Sequence, residues 1–380
     1  MTNTLIENEV GYHSESDENS ENEVKSIINS SLLKKVQKTE KDRLVKRVVT
    51  DDGKLKSFNE IQISTKTVIA ITNLKIDLEN FFRYLPITDH TPEEKRRGRK
   101  KRFTISAPVY NLPYGSVIFA QKKREFRGSF IKDKTKKSEK YFLHSVTIVL
   151  ALENNKKINV KVSSNGKLQI TGCKQESHYI NTVAILVEIM KTIEVMTNEK
   201  VYELQGNKVT AIFNTVMQNM DFNIGFHICR DKLDNFINRS TDFRSVYEIS
   251  VSTSGVNIKV PSKESNDQEL LAIDYNVENY DITKRQVPYQ TYCDLLEEKE
   301  KRKESKKEKE RLHTFLVFAS GSIIMSSRGS DMDPVYQQLV ETLIENRERF
   351  MDFTVDSSVQ FHNTLTQSYK KSHSTVSLNA

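Results

Sequence analysis

The chain repeats itself once, and this constrains its fold more than any other feature. The segment VKVSSNGKLQITGCK (160–174) reads as strand, turn and strand ahead of an apolar helical stretch. It returns as LVFASGSIIMSSRGS (316–330), again ahead of such a stretch. Gly166 and Gly321 are 155 positions apart, and so are Thr171 and Ser326. Upstream, KTVIAITNLKIDL (66–78) pairs with NTVMQNMDFNIGF (214–226) at an offset of 148. Each copy precedes a helix-like run, Leu78–Leu85 and Leu233–Ile237. YGSVIF (114–119) and FRSVYE (243–248) form a weaker third pair. Two copies at so long a period do not make a solenoid. They predict an α+β fold of two pseudo-symmetric half-domains, each an antiparallel sheet with helices on one face.

Local patterns fit that plan. Thr67–Thr72, Ser145–Leu150, Ile158–Ser163, Lys167–Thr171, Val246–Val251, Val256–Val260 and Phe315–Phe318 have the β-branched composition of strands. Glu153-Asn154-Asn155-Lys156 has the chemistry of a hairpin turn. Helical spacing runs through 176–193, with Tyr179, Val183, Leu186 and Ile189 on one face, and through 332–350. The expected organisation is a disordered arm over 1–58 and a first repeat over 59–200 with basic insertions. A second repeat follows over 201–352 with a charged insertion at 262–312, then a Ser/Thr-rich tail over 353–380. Within that last insertion, 295–312 holds six acids and eight bases and reads as a solvated helix or a disordered segment.

No segment approaches the ~20 apolar residues of a membrane span, and the first thirty residues lack the pattern of a secretory signal. Cys173, Cys229 and Cys293 form neither a disulfide framework nor a zinc pattern, which suits a reducing intracellular compartment. No phosphate-binding glycine loop, nucleophile elbow or HExxH arrangement occurs, so an enzyme is not expected. His144, His178, His227 and His313 are scattered among strands and helix starts and read as packed or surface residues. The +7 net charge is concentrated. Residues 95–102 carry seven positive charges in eight positions, and a second basic stretch runs from Lys122 to Lys140. Clusters of this kind suit a polyanionic partner.

These doubled motifs resemble the TATA-box-binding protein family. VKVSSNGKLQITGCK fits the family's strand pair around LIFSSGKMVCTGAK without a gap, including Gly166, Lys167, Thr171, Gly172 and Lys174. VFASGSIIMSSRG fits the second-half version at Phe318, Ser320 and Gly321. KTVIAITNL and NTVMQNMDF align with the family's first strand, QNIVSTVNL. The insertions and the Lys/Asn/Ile-rich composition most resemble relatives carried by large DNA viruses.

The resemblance implies a curved antiparallel sheet, a saddle with helices on its convex side and the DNA minor groove against its concave side. That groove offers mainly acceptors at A·T pairs, and aromatic wedges at the ends of the saddle open it. The DNA-facing residues it implies are Thr67, Ile69, Gln169 and Thr171 in the first half and Thr215, Met217, Asn219, Ile324 and Ser326 in the second. The implied wedges are Phe243 and Phe318, with Tyr114 or Phe142 in the first half, where Ser163 stands in place of a phenylalanine. Lys100, Lys101, Arg102, Lys122, Lys123 and Lys167 are candidate phosphate contacts. The implied function is a transcription initiation factor that acts as a monomer on A/T-rich promoter DNA. It would work with a general factor bridging to RNA polymerase, with no cofactor, metal or membrane. Its place would be the nucleus or, for a virus, a cytoplasmic virus factory or the virion. A scaffold of the same fold that has lost specific DNA binding is the alternative.

Overall fold

The computed structural model describes residues 46–49, 55–89, 112–128, 144–250, 254–262, 269–298, 300–302, 311–328 and 332–353. The first half contributes strands β1 (Ile63–Thr72), β2 (Lys75–Ile76), β3 (Val117–Lys122), β4 (Glu125–Gly128), β5 (Ser145–Leu152), β6 (Lys156–Ser163) and β7 (Lys167–Cys173). After the short β8 (Tyr202–Glu203), the second half contributes β9 (Lys208–Asn223), β10 (Arg244–Val246), β11 (Val256–Pro261), β12 (Glu269–Asn276), β13 (Ile282–Pro288), β14 (Leu312–Val317) and β15 (Ser322–Ser327).

The main sheet is ordered β10-β11-β14-β15-β9-β1-β7-β6-β5-β3-β4. In each half the first strand (β1, β9) is innermost and the next strand of this sheet (β3, β10) is far out, with β4 beyond β3 as an added edge. The remaining strands fill the gap inward, the last lying beside the first. The repeat read from the sequence is thus present in the hydrogen bonding, with the seam between β1 and β9. The weak third pair of motifs also holds, because β3 and β10 occupy equivalent places near the two ends.

Helices cover one face. Helix α1 (Leu78–Tyr84) is capped by Asp77, which accepts from the backbone N–H groups of Glu79 and Asn80. With α2 (Glu176–Thr197) it lies on the first half. There Phe81, Val183, Leu186 and Met190 meet Val68, Ala70, Val160 and Ile170 in one cluster. Helices α3 (Arg230–Ser240) and α5 (Met332–Glu345) do the same in the second half, where Leu233, Tyr336, Leu339 and Leu343 meet Phe222, Ile258, Phe315 and Met325. Each such side chain contributes about 1.5–3 kcal/mol on burial. The turn between β5 and β6 takes left-handed φ at Asn154 and Asn155, a conformation asparagine tolerates.

Three expectations change. The arm expected to be disordered through residue 58 is docked over 46–49 and from 55 onward. Val48 is fully buried in the second-half core, and Phe58 packs on Tyr336. The apolar residues Val48, Val49, Leu55 and Phe58 are enough to anchor it. The strand expected over 246–251 is the three-residue β10, ending at Val246. The charged insertion is largely structured. Strands β12 and β13 form a hairpin, and β12 pairs with the N-terminal part of β9, which has β1 on its other side. Helix α4 (Tyr289–Asp294) follows.

Candidate nucleic-acid interface

The face away from the helices is defined by cross-strand register. Thr67 lies between Thr171 and Met217, Ile69 between Gln169 and Asn214, and Ile71 between Lys167 and Ile212. Outward through the first half, Thr171 meets Asn159, Gln169 meets Lys161, and Ser163 meets Ser145. In the second half, Asn219 faces Ser326 and Asp221 faces Ile324. The next rows run Thr314 to Lys259 and Leu316 to Asn257, ending on Arg244 and Val246. Because directly opposed residues point the same way, Thr67, Ile69, Gln169, Thr171, Met217, Asn219, Ile324 and Ser326 share this open face.

Four expected site residues lie elsewhere. A register shift between Thr67 and Val68 places an extra residue in β9, so Thr215 sits opposite Val68, in the row that faces the helices. Asn214, its neighbour, takes the open-face position. Phe243 is buried in the second-half core, because β10 turns Ser245 inward and Arg244 and Val246 outward. Tyr114 lies at the edge, beside Asn181 of α2 on the helix side. Lys122 is buried and ion-paired with Glu79 of α1, on the helix side of the sheet. Phe318 stays partly exposed in the turn after β14, two residues beyond Leu316 and therefore of open-face parity. Lys123 is exposed with left-handed φ in the β3–β4 turn. Lys100, Lys101, Arg102 and Phe142 lie outside the described residues.

The open face is hydroxyl, amide and aliphatic in character, with cations among them. Across the sheet Lys157, Lys161, Lys167, Lys208, Arg244 and Lys259 occupy open-face positions, with Asp221 and Asp274 as carboxylates. Burial holds the Lys161 amine below the ordinary lysine range, and an anion bound beside it would raise it again. Asn219 Oδ1, Asn257 Oδ1 and Ser145 Oγ are buried without a hydrogen-bond partner among the described residues, and all three are on this face. Buried polar groups are ordinarily paired, so these three are available to a polar ligand. Asn214, Asn257, Lys161 and Lys259 were not singled out in the sequence. Asn257 and Lys259 follow from extending the alternation of Val256–Val260 to its polar members, and Asn214 depends on the shift in β9. Phe126, exposed on β4 opposite Gln121, is an aromatic at the first-half end that no motif marked.

At the seam, toward the end of β1, this face is covered by the chain itself. Tyr289, Tyr292 and Leu296 are buried against Ile71, Ile212, Leu270 and Ala272 in a separate apolar cluster. The Tyr292 hydroxyl lies beside Asn214, and burial pushes it up to about 12. Arg328 Nη2 donates to the Tyr289 hydroxyl at 3.2 Å. Lys167 Nζ donates to Glu300 Oε1 at 2.5 Å.

A doubled antiparallel sheet with helices on one face and a polar, cationic second face defines a TATA-binding-protein-like α+β saddle. No established family profile matches the chain. A relative named uncharacterized protein 335L, from Invertebrate iridescent virus 6, is 26% identical over 315 residues, covering 77% of this chain and 89% of its own length. A "TATA-box-binding protein-like" protein of Acanthamoeba polyphaga mimivirus is 31% identical over 122 residues, 29% of this chain and 32% of that protein. The solved structure of Methanococcus jannaschii TBP matches 75% of this chain and 98% of its own, at 12% identity and a TM-score of 0.36. Among the described residues no helix is long and apolar enough to cross a membrane. Nor does any group of three or more His, Cys, Asp or Glu among them suit a metal ion.

Proposed function

We propose that the chain is a non-enzymatic transcription initiation factor that binds the minor groove of A/T-rich promoter DNA on the open face and bends it. The observation carrying this is the face itself. The sheet presents Thr67, Thr171, Asn219 and Ser326 near the seam, with the Ser145 hydroxyl, unpartnered among the described residues, further out and cations distributed through both halves. Small hydroxyl and amide groups suit the acceptors of A·T pairs, and the G amino group obstructs them. Phe318, with open-face parity and partial exposure, is the wedge of the second half. A bridging factor would dock on the exposed sides of α2 and α5.

The covering of Ile71 and Ile212 favours a second reading, a scaffold that keeps the fold without specific DNA binding. Binding of the purified chain to A·T-rich and G·C-rich duplexes over a salt series separates the two. On the DNA reading, A·T-rich duplexes bind tighter, and Phe318→Ala weakens them about tenfold, equivalent to ~1.4 kcal/mol of ring burial at a base step. Ser163→Ala, at the equivalent first-half position, changes affinity less than about twofold. End-to-end energy transfer on the bound duplex should show a reduced bend for Phe318→Ala alone. Equal, small effects of both substitutions, without A·T preference, would establish the scaffold instead.

A further inference from the structure

The segment covering the seam has a composition suited to occupying a nucleic-acid surface. Residues 294–300 hold four carboxylates (Asp294, Glu297, Glu298, Glu300) and one lysine. Glu300 is paired with Lys167, whose ladder partner is Ile71. Asn165 Nδ2 donates to Glu297 Oε1 at 3.4 Å. Next to these contacts, Tyr289, Tyr292 and Leu296 cover Ile71 and Ile212, which belong to β1 and β9, the innermost strand of each half. A rod-like ligand spanning both halves must cross that seam, where the segment already fills the apolar and cationic positions. A carboxylate on Lys167 takes the position a phosphate would take.

We infer that residues 289–298, with 300–302, form an intramolecular strap that competes with duplex DNA for the seam of the open face, so that the chain binds DNA only when the strap has lifted. This rests on the DNA reading above. The hairpin of β12 and β13 is hydrogen-bonded into the sheet through β9 and stays in place. The moving part begins after Pro288, whose extended backbone (φ −58°, ψ 146°) separates strand from helix. A competitor that is bound most of the time divides the apparent affinity by the fraction of open molecules. The carboxylates also repel an approaching duplex.

The test uses the full chain and an A·T-rich duplex. Glu297→Gln with Glu300→Gln removes the charge contacts without touching a core residue, and Tyr292→Ala with Leu296→Ala removes the apolar anchors. Circular dichroism verifies folding of both variants. The charge variant should bind about fivefold tighter and the anchor variant about tenfold tighter or more, as expected for a larger open fraction. In the wild type, duplex should also speed alkylation of Cys293, which packs in the strap cluster, while buried Cys173 stays slow. If the wild type and both variants bind DNA equally and Cys293 labelling is unchanged, the strap is overturned and the DNA reading stands. Weaker binding by folded variants would make the segment part of the interface, also overturning the strap. If no form binds duplex, even with Cys293 exposed by substitution, the DNA reading fails and the strap has no competitor.

Discussion

Tyr336→Ala is expected to lower the unfolding free energy by about 4 kcal/mol, in the range of fully buried aromatic truncations. Tyr336 is completely buried on α5. Its ring meets Phe222 edge-on at 5.3 Å and Phe58 at 5.7 Å. Its hydroxyl donates to the backbone carbonyl of Lys56 at 3.1 Å. One side chain therefore joins the sheet, the helix layer and the docked N-terminal segment. Tyr336→Phe keeps the ring contacts and removes a single hydrogen bond, so it should cost only about 1 kcal/mol. Denaturant unfolding gives both values. Limited proteolysis should show earlier cleavage near 55–60 in the alanine variant. A loss below about 1 kcal/mol for Tyr336→Ala would mean that the ring is not the anchor of that segment.

Gly321→Ala should be nearly as damaging, at about 3–4 kcal/mol. Gly321 sits in the turn between β14 and β15 with φ +75°. A Cβ there would lie 2.1 Å from the carbonyl oxygen of Phe226. The left-handed conformation alone costs an L residue about 1–2 kcal/mol, and the backbone must also move to relieve the clash. Gly206 isolates the first cost, because its φ is +83° and nothing lies within 4 Å of the added atom. Gly206→Ala should lose only about 1 kcal/mol. Gly166, 155 positions before Gly321, has φ +76° and a similar 2.3 Å approach to the Leu74 carbonyl oxygen. Its alanine variant should resemble Gly321→Ala. Equal melting shifts for Gly321→Ala and Gly206→Ala would show that the clash is relieved without cost.

That equivalence explains why the architecture could be read from the sequence. A glycine in a tight turn against a backbone carbonyl is replaceable by nothing else, so Gly166 and Gly321 persist as landmarks in both halves. Strand alternation then put Thr67, Ile69, Gln169, Thr171, Ile324 and Ser326 on one face. Alternation fails where the backbone adds a residue, as in β9. Thr215 and Asn214 exchange faces there, although nothing in NTVMQNM marks the shift. It fails again at strand ends. Phe243 precedes a three-residue strand, so one step of parity sends its ring into the core. Lys122 looked like part of a basic run, but its position in β3 points it at Glu79. The strap was hidden by its neighbours. The charge run from 297 onward suggested solvent, while the anchors Tyr289, Tyr292 and Leu296 lie just before it.

The docking of the N-terminal segment has a consequence for how the chain is made. Val48, Leu55, Phe58 and Ile61 are completed by Phe222, Tyr336 and Leu339, so they leave the ribosome long before their partners do. The first half can pair β1 with β7 on its own, but its core under α2 is completed only by Val209, Ala211 and Phe213 of β9 and by Ile273 and Tyr275 of β12. Until β9 and α5 are synthesised, however, the outer edge of β1 and these early apolar residues have no cover. The nascent first half thus has an unfinished core, an open strand edge and a greasy leading segment, a species prone to aggregate. Production of the first half alone should inherit the same liability, and synthesis through α5 is what ends it.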